Sequence, residues 1–334
     1  MRKHNMKKNI TRISYIALST LFVLIAVYAL STSIFAEDNT AMHNEIAYDH
    51  SPQEISALSI PEKFEFAGEI IDLGRHDLRE RFDRELMAFT YMHSTIFLLI
   101  KRANQYFPII EPILKKNNIP DDFKYLAAIE SYLSPRAASP AGAIGVWQFL
   151  ADTARECGLE VNKEVDERLH LEKATNAACR YLQSSYDMYG DWMTTAASYN
   201  AGRRRISIGL EEQKAENYFG LYLNEETSRY VFRLMAAKEV MSNPKKYGLH
   251  LKKEDFYHTV RTKEVDINAP VKNWADWAKA NETDFVQLKY FNPWIRNMKL
   301  DNLSKKTYKV KIPYHKDLEY DISKVKIHNK AWIK

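Results

Sequence analysis

A mainly α-helical fold with a small α+β module at its C-terminal end is predicted by three observations. Glycine is scarce, with 10 in 334 residues. Apolar residues recur at helical spacing, as Phe82, Leu86, Phe89, Met92 and Ile96, then Phe107, Ile110, Ile113 and Leu114. From Pro120 to about Tyr247 the chain reads as nearly continuous helix with short breaks, and strands do not alternate with helices along it.

The first segment concerns location. Residues 1–12 carry Arg2, Lys3, Lys7, Lys8 and Arg12 and no acid, and no charged residue occurs from Ile13 to Ala36. A basic start before an apolar run is an export signal. The run is longer than the usual signal core of about 7–15 residues, and a helix of roughly 20 apolar residues spans a bilayer. Residues 1–36 are therefore expected to be a signal peptide or membrane anchor. The basic flank stays inside and the rest lies in the periplasm or cell envelope, held at the inner membrane by 13–36 where the signal is not cleaved. Small residues near Ser33 and Ala36 leave cleavage open, and no cysteine ends the run to carry a lipid.

Residues 37–105 are expected to form a polar tether, to about residue 60, and a helical N-terminal extension. A helical domain over 106–250 follows. Pro120-Asp121-Asp122 opens one of its helices, because proline suits a first turn and acids favour the positive end of the helix dipole. Leu150 to Arg155 starts another, stopped by Gly158-Leu159. Leu171 to Tyr189 is amphipathic and ends at Gly190, Asp191-Trp192 starts the next, and Asn243-Pro244 ends the last. Residues 251–334 change in composition. Phe256 to Val260 and Tyr308 to Ile312 alternate like strands and flank a helical stretch around Asn273–Ala280.

Composition excludes several classes. Cys157 and Cys179 allow at most one disulfide and are equally readable as two buried thiols, so this is no disulfide-built scaffold. The net charge of +5 and pI near 8.8 suit attraction to an anionic polymer such as a cell wall, although a plain solvated surface with excess lysine reads the same way. The 10 histidines are scattered, and His76, His93 and His170 have no partner at ligand spacing. No metal site, cofactor or nucleic-acid partner is predicted. No Ser-His-Asp set, nucleophilic cysteine or Gly-rich phosphate loop points to another chemistry.

The candidate chemistry centres on Glu130. Stacking by threes and fours puts Phe123, Leu126, Ala127 and Glu130 on one stripe of a helix. An acid that continues an apolar stripe is poorly solvated, and desolvation raises its pKa toward that of a proton donor useful near neutrality. The competing view is a helix-end glutamate facing water or paired with Arg136. Downstream, Ser139-Pro140-Ala141-Gly142-Ala143-Ile144-Gly145 is a small-residue loop that permits close approach of backbone and ligand. It leads into Trp147-Gln148-Phe149. A ring beside an amide offers a pyranose a face to stack on and a fork for its hydroxyl and N-acetyl groups, although such a triplet by itself is more often core.

Four segments together resemble the soluble-lytic-transglycosylase family, most of all its membrane-bound lytic murein transglycosylase D group. They are Glu130-Ser131; Ser139 through Phe149; Ser198-Tyr199-Asn200-Ala201-Gly202; and Glu226-Thr227-Ser228-Arg229-Tyr230-Val231. The likeness runs from about Tyr106 to Leu249. It implies a lysozyme-like domain that cleaves peptidoglycan glycan strands between N-acetylmuramic acid and N-acetylglucosamine. By the same resemblance Glu130 is the single catalytic acid, Ser139 contacts its carboxyl, and Gln148 is the amide of the cleft. Tyr199 orients acid and sugar, Asn200 supports the cleft, and Glu226 and Tyr230 lie near it. Trp147 stands where the wider family has methionine, as in the D group, and Ser198 where alanine is usual.

Two other functions compete. A muramidase would hydrolyse the same bond with water, using Asp152, Asp166 or Glu226 as a second carboxylate. Against this, Asp166 with Arg168 reads as a structural ion pair and Asp152 as a helix N-cap. A silent cell-wall-binding protein is the third possibility, opposed by the presence of Glu130, Gln148 and Tyr199 together. In the tail, Val271 to Ala278 followed by Leu288 to Pro293 resembles a degenerate LysM module without the Gly-Asp-Thr opening. Trp274, Trp277 and Trp294 are its candidates for stacking on sugar or for core. Besides glycan and a membrane met through the N-terminal segment, the sequence names no protein partner.

Overall fold

The computed structural model describes residues 57–333, which form one compact unit. The expected signal or anchor and most of the polar tether lie outside these residues. Among the described residues no helix is long and apolar enough to cross a membrane.

The unit is mainly helical, and it starts with a hairpin that the expected tether and helices do not include. Strands β1 (Lys63–Phe66) and β2 (Glu69–Asp72) pair antiparallel, closing at Phe66 and Glu69. The two turn residues, Ala67 and Gly68, have φ of 55° and 83°, the positive values that a two-residue hairpin turn requires. Phe64 and Phe66 alternate inward with Lys63 and Glu65 outward, and both rings are buried. Helices α1 (His76–Thr90) and α2 (His93–Lys116) follow. Met92 belongs to neither: it precedes α2 and is 37% exposed, so the apolar period breaks there.

The remaining helices of the body are α3 (Lys124–Ser131), α4 (Ala151–Glu156), α5 (Leu171–Tyr189), α6 (Trp192–Ala201), α7 (Arg203–Gln213) and α8 (Glu225–Ser242). Their ends obey local chemistry. Gly190, at φ 73°, closes α5; Asp191 caps α6 by accepting from the Thr194 N–H; Asn224 caps α8 by accepting from the Thr227 N–H. Helix α8 is buried on nearly all sides, through Tyr230, Val231, Phe232, Leu234, Met235, Ala236, Ala237, Val240 and Met241. A helix with so broad a buried face sits inside a fold, and α1, α3 and α6 pack against this one. Helix α1 lies along it and contributes Leu78, Phe82 and Leu86 to the shared core.

The C-terminal module consists of β3 (Thr262–Ile267), α9 (Trp274–Ala280), α10 (Phe285–Phe291) and β4 (Tyr308–Pro313), with β3 antiparallel to β4. The predicted strand over 256–260 is thus displaced to 262–267. The reason is that Phe256 and His258 are committed elsewhere. Phe256 is fully buried in the main core, and the His258 ring bonds the Asp317 carbonyl at 2.8 Å. The module's own core of Trp274, Ala278, Leu288, Trp294, Ile295 and Val310 is completed by Val165 and Leu169 from the helical body. Trp274 and Trp294 are only 1% and 3% exposed, so they are packing residues and not surface platforms for sugar.

The tail then returns to the body. Val325 and Trp332 join the main core, Trp332 stacks on Phe256, and its indole N–H donates to the Met241 carbonyl at the end of α8 at 2.8 Å. Replacing Trp332 by alanine is expected to lower unfolding free energy by about 3–5 kcal/mol, the usual cost of emptying a buried aromatic site, as measured by urea denaturation.

Candidate active site

Glu130 occupies the last turn of α3, directly before two residues in the left-handed region, Tyr132 (φ 49°) and Leu133 (φ 53°). The turn of α3 before it buries Leu126 and Ala127 below Phe123, so the stripe read from the sequence carries the carboxyl inward. The Tyr230 hydroxyl, from α8, donates to Glu130 Oε1. Burial pushes the Glu130 pKa up to about 7, against the lowering effects of the Tyr230 hydrogen bond and the nearby Arg233, and with a small further rise from Glu226. Arg136, the sequence's alternative partner, instead donates to the Lys289 carbonyl at 2.8 Å.

The loop after α3 is tied down at several points. Ser131 donates to the Val146 carbonyl at 2.8 Å, which binds the helix end to the loop. Ser139 accepts from the Ala143 N–H at 3.0 Å, so its oxygen shapes the loop and makes no bond to Glu130. Gln148 adopts φ 47° and spends its amide N–H groups on the carbonyls of Gly145 (2.8 Å) and Ala137 (3.3 Å), leaving its oxygen as the polar end. Trp147 is not a sugar platform. It is fully buried, and its indole N–H donates to Thr175 Oγ1 at 2.9 Å.

Helix α6 brackets this loop against α8. The Tyr199 hydroxyl donates to the Trp147 carbonyl at 2.7 Å, so it positions the loop and does not bond the acid; that contact comes from Tyr230. Asn200 Oδ1 accepts from the Thr227 hydroxyl at 3.0 Å, joining the end of α6 to the start of α8. Burial first, then the neighbouring Glu130, raises the Tyr199 and Tyr230 phenols well above their ordinary pKa. Both remain neutral donors through the physiological range.

The other carboxylates separate clearly. Asp166 is buried in a two-pronged pair with Arg168, at 2.9 and 2.8 Å, and Arg168 also donates to the Gly142 and Phe149 carbonyls. Asp152 is not an N-cap: Leu150 holds that place, and Asp152 lies in the first turn, 92% exposed and paired with Arg155 at 2.8 Å. Glu226 is 60% exposed and meets Arg233 at 3.4 Å. Sequence patterns gave no sign of Arg233, nor of its second partner Glu85, which comes from α1. Cys157 and Cys179 are free thiols, and burial raises both, Cys179 to about 12.

Residues 107–220 match the transglycosylase SLT domain, and residues 263–316 match the soluble lytic transglycosylase C-terminal LysM-like domain. The chain's helical body and its C-terminal module thus match two domains found in soluble lytic transglycosylases. Among curated proteins it is similar to membrane-bound lytic murein transglycosylase D of Escherichia coli strain K12, 30% identical over 243 residues, or 70% of this chain and 52% of that one. It is also 33% identical over 125 residues to peptidoglycan transglycosylase gp16 of Escherichia phage T7, covering 36% of this chain and 9% of that. The chain thus spans about half the length of the first relative. Among solved structures, the 70 kDa soluble lytic transglycosylase of Escherichia coli aligns with a TM-score of 0.37 at 24% identity, over 41% of this chain and 24% of that one. The SLT match ends at residue 220, so Glu226 and Tyr230 lie beyond it.

Two outcomes test the geometry. Gly145 sits at φ 86°, and a Cβ there would lie 2.1 Å from the Arg168 carbonyl oxygen. Gly145→Ala is therefore expected to cost about 2 kcal/mol or more and to move the loop, read as a lowered melting temperature. For Glu130 the folded pKa lies above the unfolded 4.5, so its favourable contribution is complete below pH 4.5 and is lost as pH rises through about 7. Glu130→Gln, which does not titrate, should match the wild type in stability at pH 4 and exceed it by roughly 1–3 kcal/mol at pH 8, measured by denaturation at both values.

Proposed function

We propose that this protein is a lytic transglycosylase of the cell envelope, cleaving the β-1,4 bond between N-acetylmuramic acid and N-acetylglucosamine with Glu130 as its only proton carrier. The observation that carries this reading is the setting of Glu130: a half-buried carboxyl at the end of an apolar stripe, bonded by the Tyr230 hydroxyl, with dehydration pushing its pKa up to about 7. The resemblance read from the sequence and the matches to the SLT and LysM-like domains support the same assignment.

The geometry suggests the following sequence. Protonated Glu130 donates to the glycosidic oxygen as the C1–O bond of the muramic acid breaks, and the sugar's own N-acetyl oxygen stabilises the positive charge at C1. The resulting Glu130 carboxylate, held in place by the Tyr230 hydroxyl, then takes the proton of the C6 hydroxyl. That oxygen closes on C1 to give a 1,6-anhydro end and returns Glu130 to its starting state. No second carboxylate is needed, and the attack gains from being intramolecular. Ser139, Gln148, Tyr199 and Asn200 hold the loop and helix ends that would line the glycan. Export through residues 1–36, with 13–36 as an optional anchor, would place the enzyme beside its polymer.

One observation favours a second reading. Glu226 is exposed and near enough to Glu130 to affect its proton, so a muramidase using Glu226 to activate water remains the competitor. Product analysis separates them. Purified protein acting on peptidoglycan is expected to release muropeptides lighter by one water than those with reducing ends, and reducing ends alone would establish hydrolysis. Glu130→Gln should fold and lose about 10²–10⁴-fold in kcat/KM. In the wild type kcat/KM should fall as pH rises through about 7, where the donor loses its proton.

A further inference from the structure

Glu85, near the C-terminal end of α1, is 2% exposed. Three guanidinium groups surround it: Arg229 Nε at 2.5 Å, Arg84 Nε at 3.4 Å and Arg233 Nε at 3.6 Å. Arg229 and Arg233 belong to α8 and flank Tyr230, the residue that bonds Glu130. Arg233 lies three residues beyond that tyrosine, so the two share a face of the helix. Its charge is felt at Glu130, yet the two form no ion pair; the partners of Arg233 are Glu85 and, at 3.4 Å, Glu226. Burying a carboxylate is costly, and apolar side chains would close the α1–α8 contact as well.

We propose that Glu85 is a positioning residue for the acid: it holds Arg233 toward α1, so that Glu130 meets a neutral phenol and not a guanidinium. This rests on Glu130 being the proton donor. The ionisable groups that face Glu130 are Tyr230, Arg233 and Glu226 from α8 and Tyr199 from α6. Both tyrosines stay neutral, so Arg233 is the cation whose position matters. A carboxylate paired directly with arginine titrates about 1–3 units lower, which would leave the donor ionised at neutral pH. Glu85 thus separates two needs of α8. The helix brings Tyr230 to the acid, and its arginine is kept occupied on the other side.

The experiment is the pH dependence of kcat/KM on peptidoglycan for the full chain and its variants. Glu130→Gln comes first: if it turns over normally, the donor assignment fails, and that failure is read separately from the rest. With the donor established, Glu85→Gln should move the descending limb about one unit toward acid, a roughly fivefold loss at pH 7 with little change at pH 5. Adding Arg233→Gln should return the limb to at least its wild-type position, and Glu85→Asp, which keeps the charge, should leave it unmoved. A loss equal at all pH values, or no rescue by the second change, would overturn the proposal. Should Glu85→Gln not fold, Arg233→Gln alone decides. With Arg233 held by Glu85, its removal should raise the limb by less than about half a unit. A rise of a full unit or more would mean Arg233 already pairs with the acid.

Discussion

The hydrogen bond from Tyr230 to Glu130 joins the short helix that carries the acid to the buried helix at the centre of the fold. The ties around it fix that meeting in place. Helix α3 lasts only eight residues and ends in two left-handed residues, so it cannot hold its last side chain in place unaided. It is held by Ser131 to the loop, by Tyr199 through the same loop to α6, and by Asn200 from α6 back to α8. The circuit returns to the helix that supplies Tyr230. An acid kept half-neutral by dehydration is useful only when its surroundings do not relax to solvate it, and this closed set of ties prevents that relaxation.

Much of this was legible in the sequence because it is local. Glycine at the end of α5, Asp191 at the start of α6 and Asn243-Pro244 after α8 are chemical punctuation, and the helices obey them. The Glu130 stripe depends only on helical period. What escaped depends on commitments made far along the chain. Phe256 and His258 alternate with polar neighbours as a strand would, but they are claimed by Trp332 and the Asp317 carbonyl. The hairpin at 63–72 did leave a signal, in Phe64, Phe66 and the Ala67-Gly68 turn, although it lies just past the polar segment that masked it.

The site divides in the same way. Motif residues fall together in space, but several do different things from what their chemistry alone suggests. Ser139 and the amide N–H groups of Gln148 face their own loop, Trp147 faces the core, and Tyr199 grips backbone. A sequence motif records which residues a site needs, and it does not separate those that touch substrate from those that build the wall. Glu85 and Arg233 are 148 positions apart and share no motif, so only the packing of α1 on α8 brings them into view.

The return of the tail has a consequence for biogenesis. Val325 and Trp332 fill the same core as Phe64 and Phe82, some 250 residues earlier. A chain emerging in order from a ribosome or a pore therefore holds an unsealed interior until nearly all of the described residues are out. The closing of this core thus waits on the last residues of the body, and truncation near Trp332 would leave Phe256 and the end of α8 uncovered.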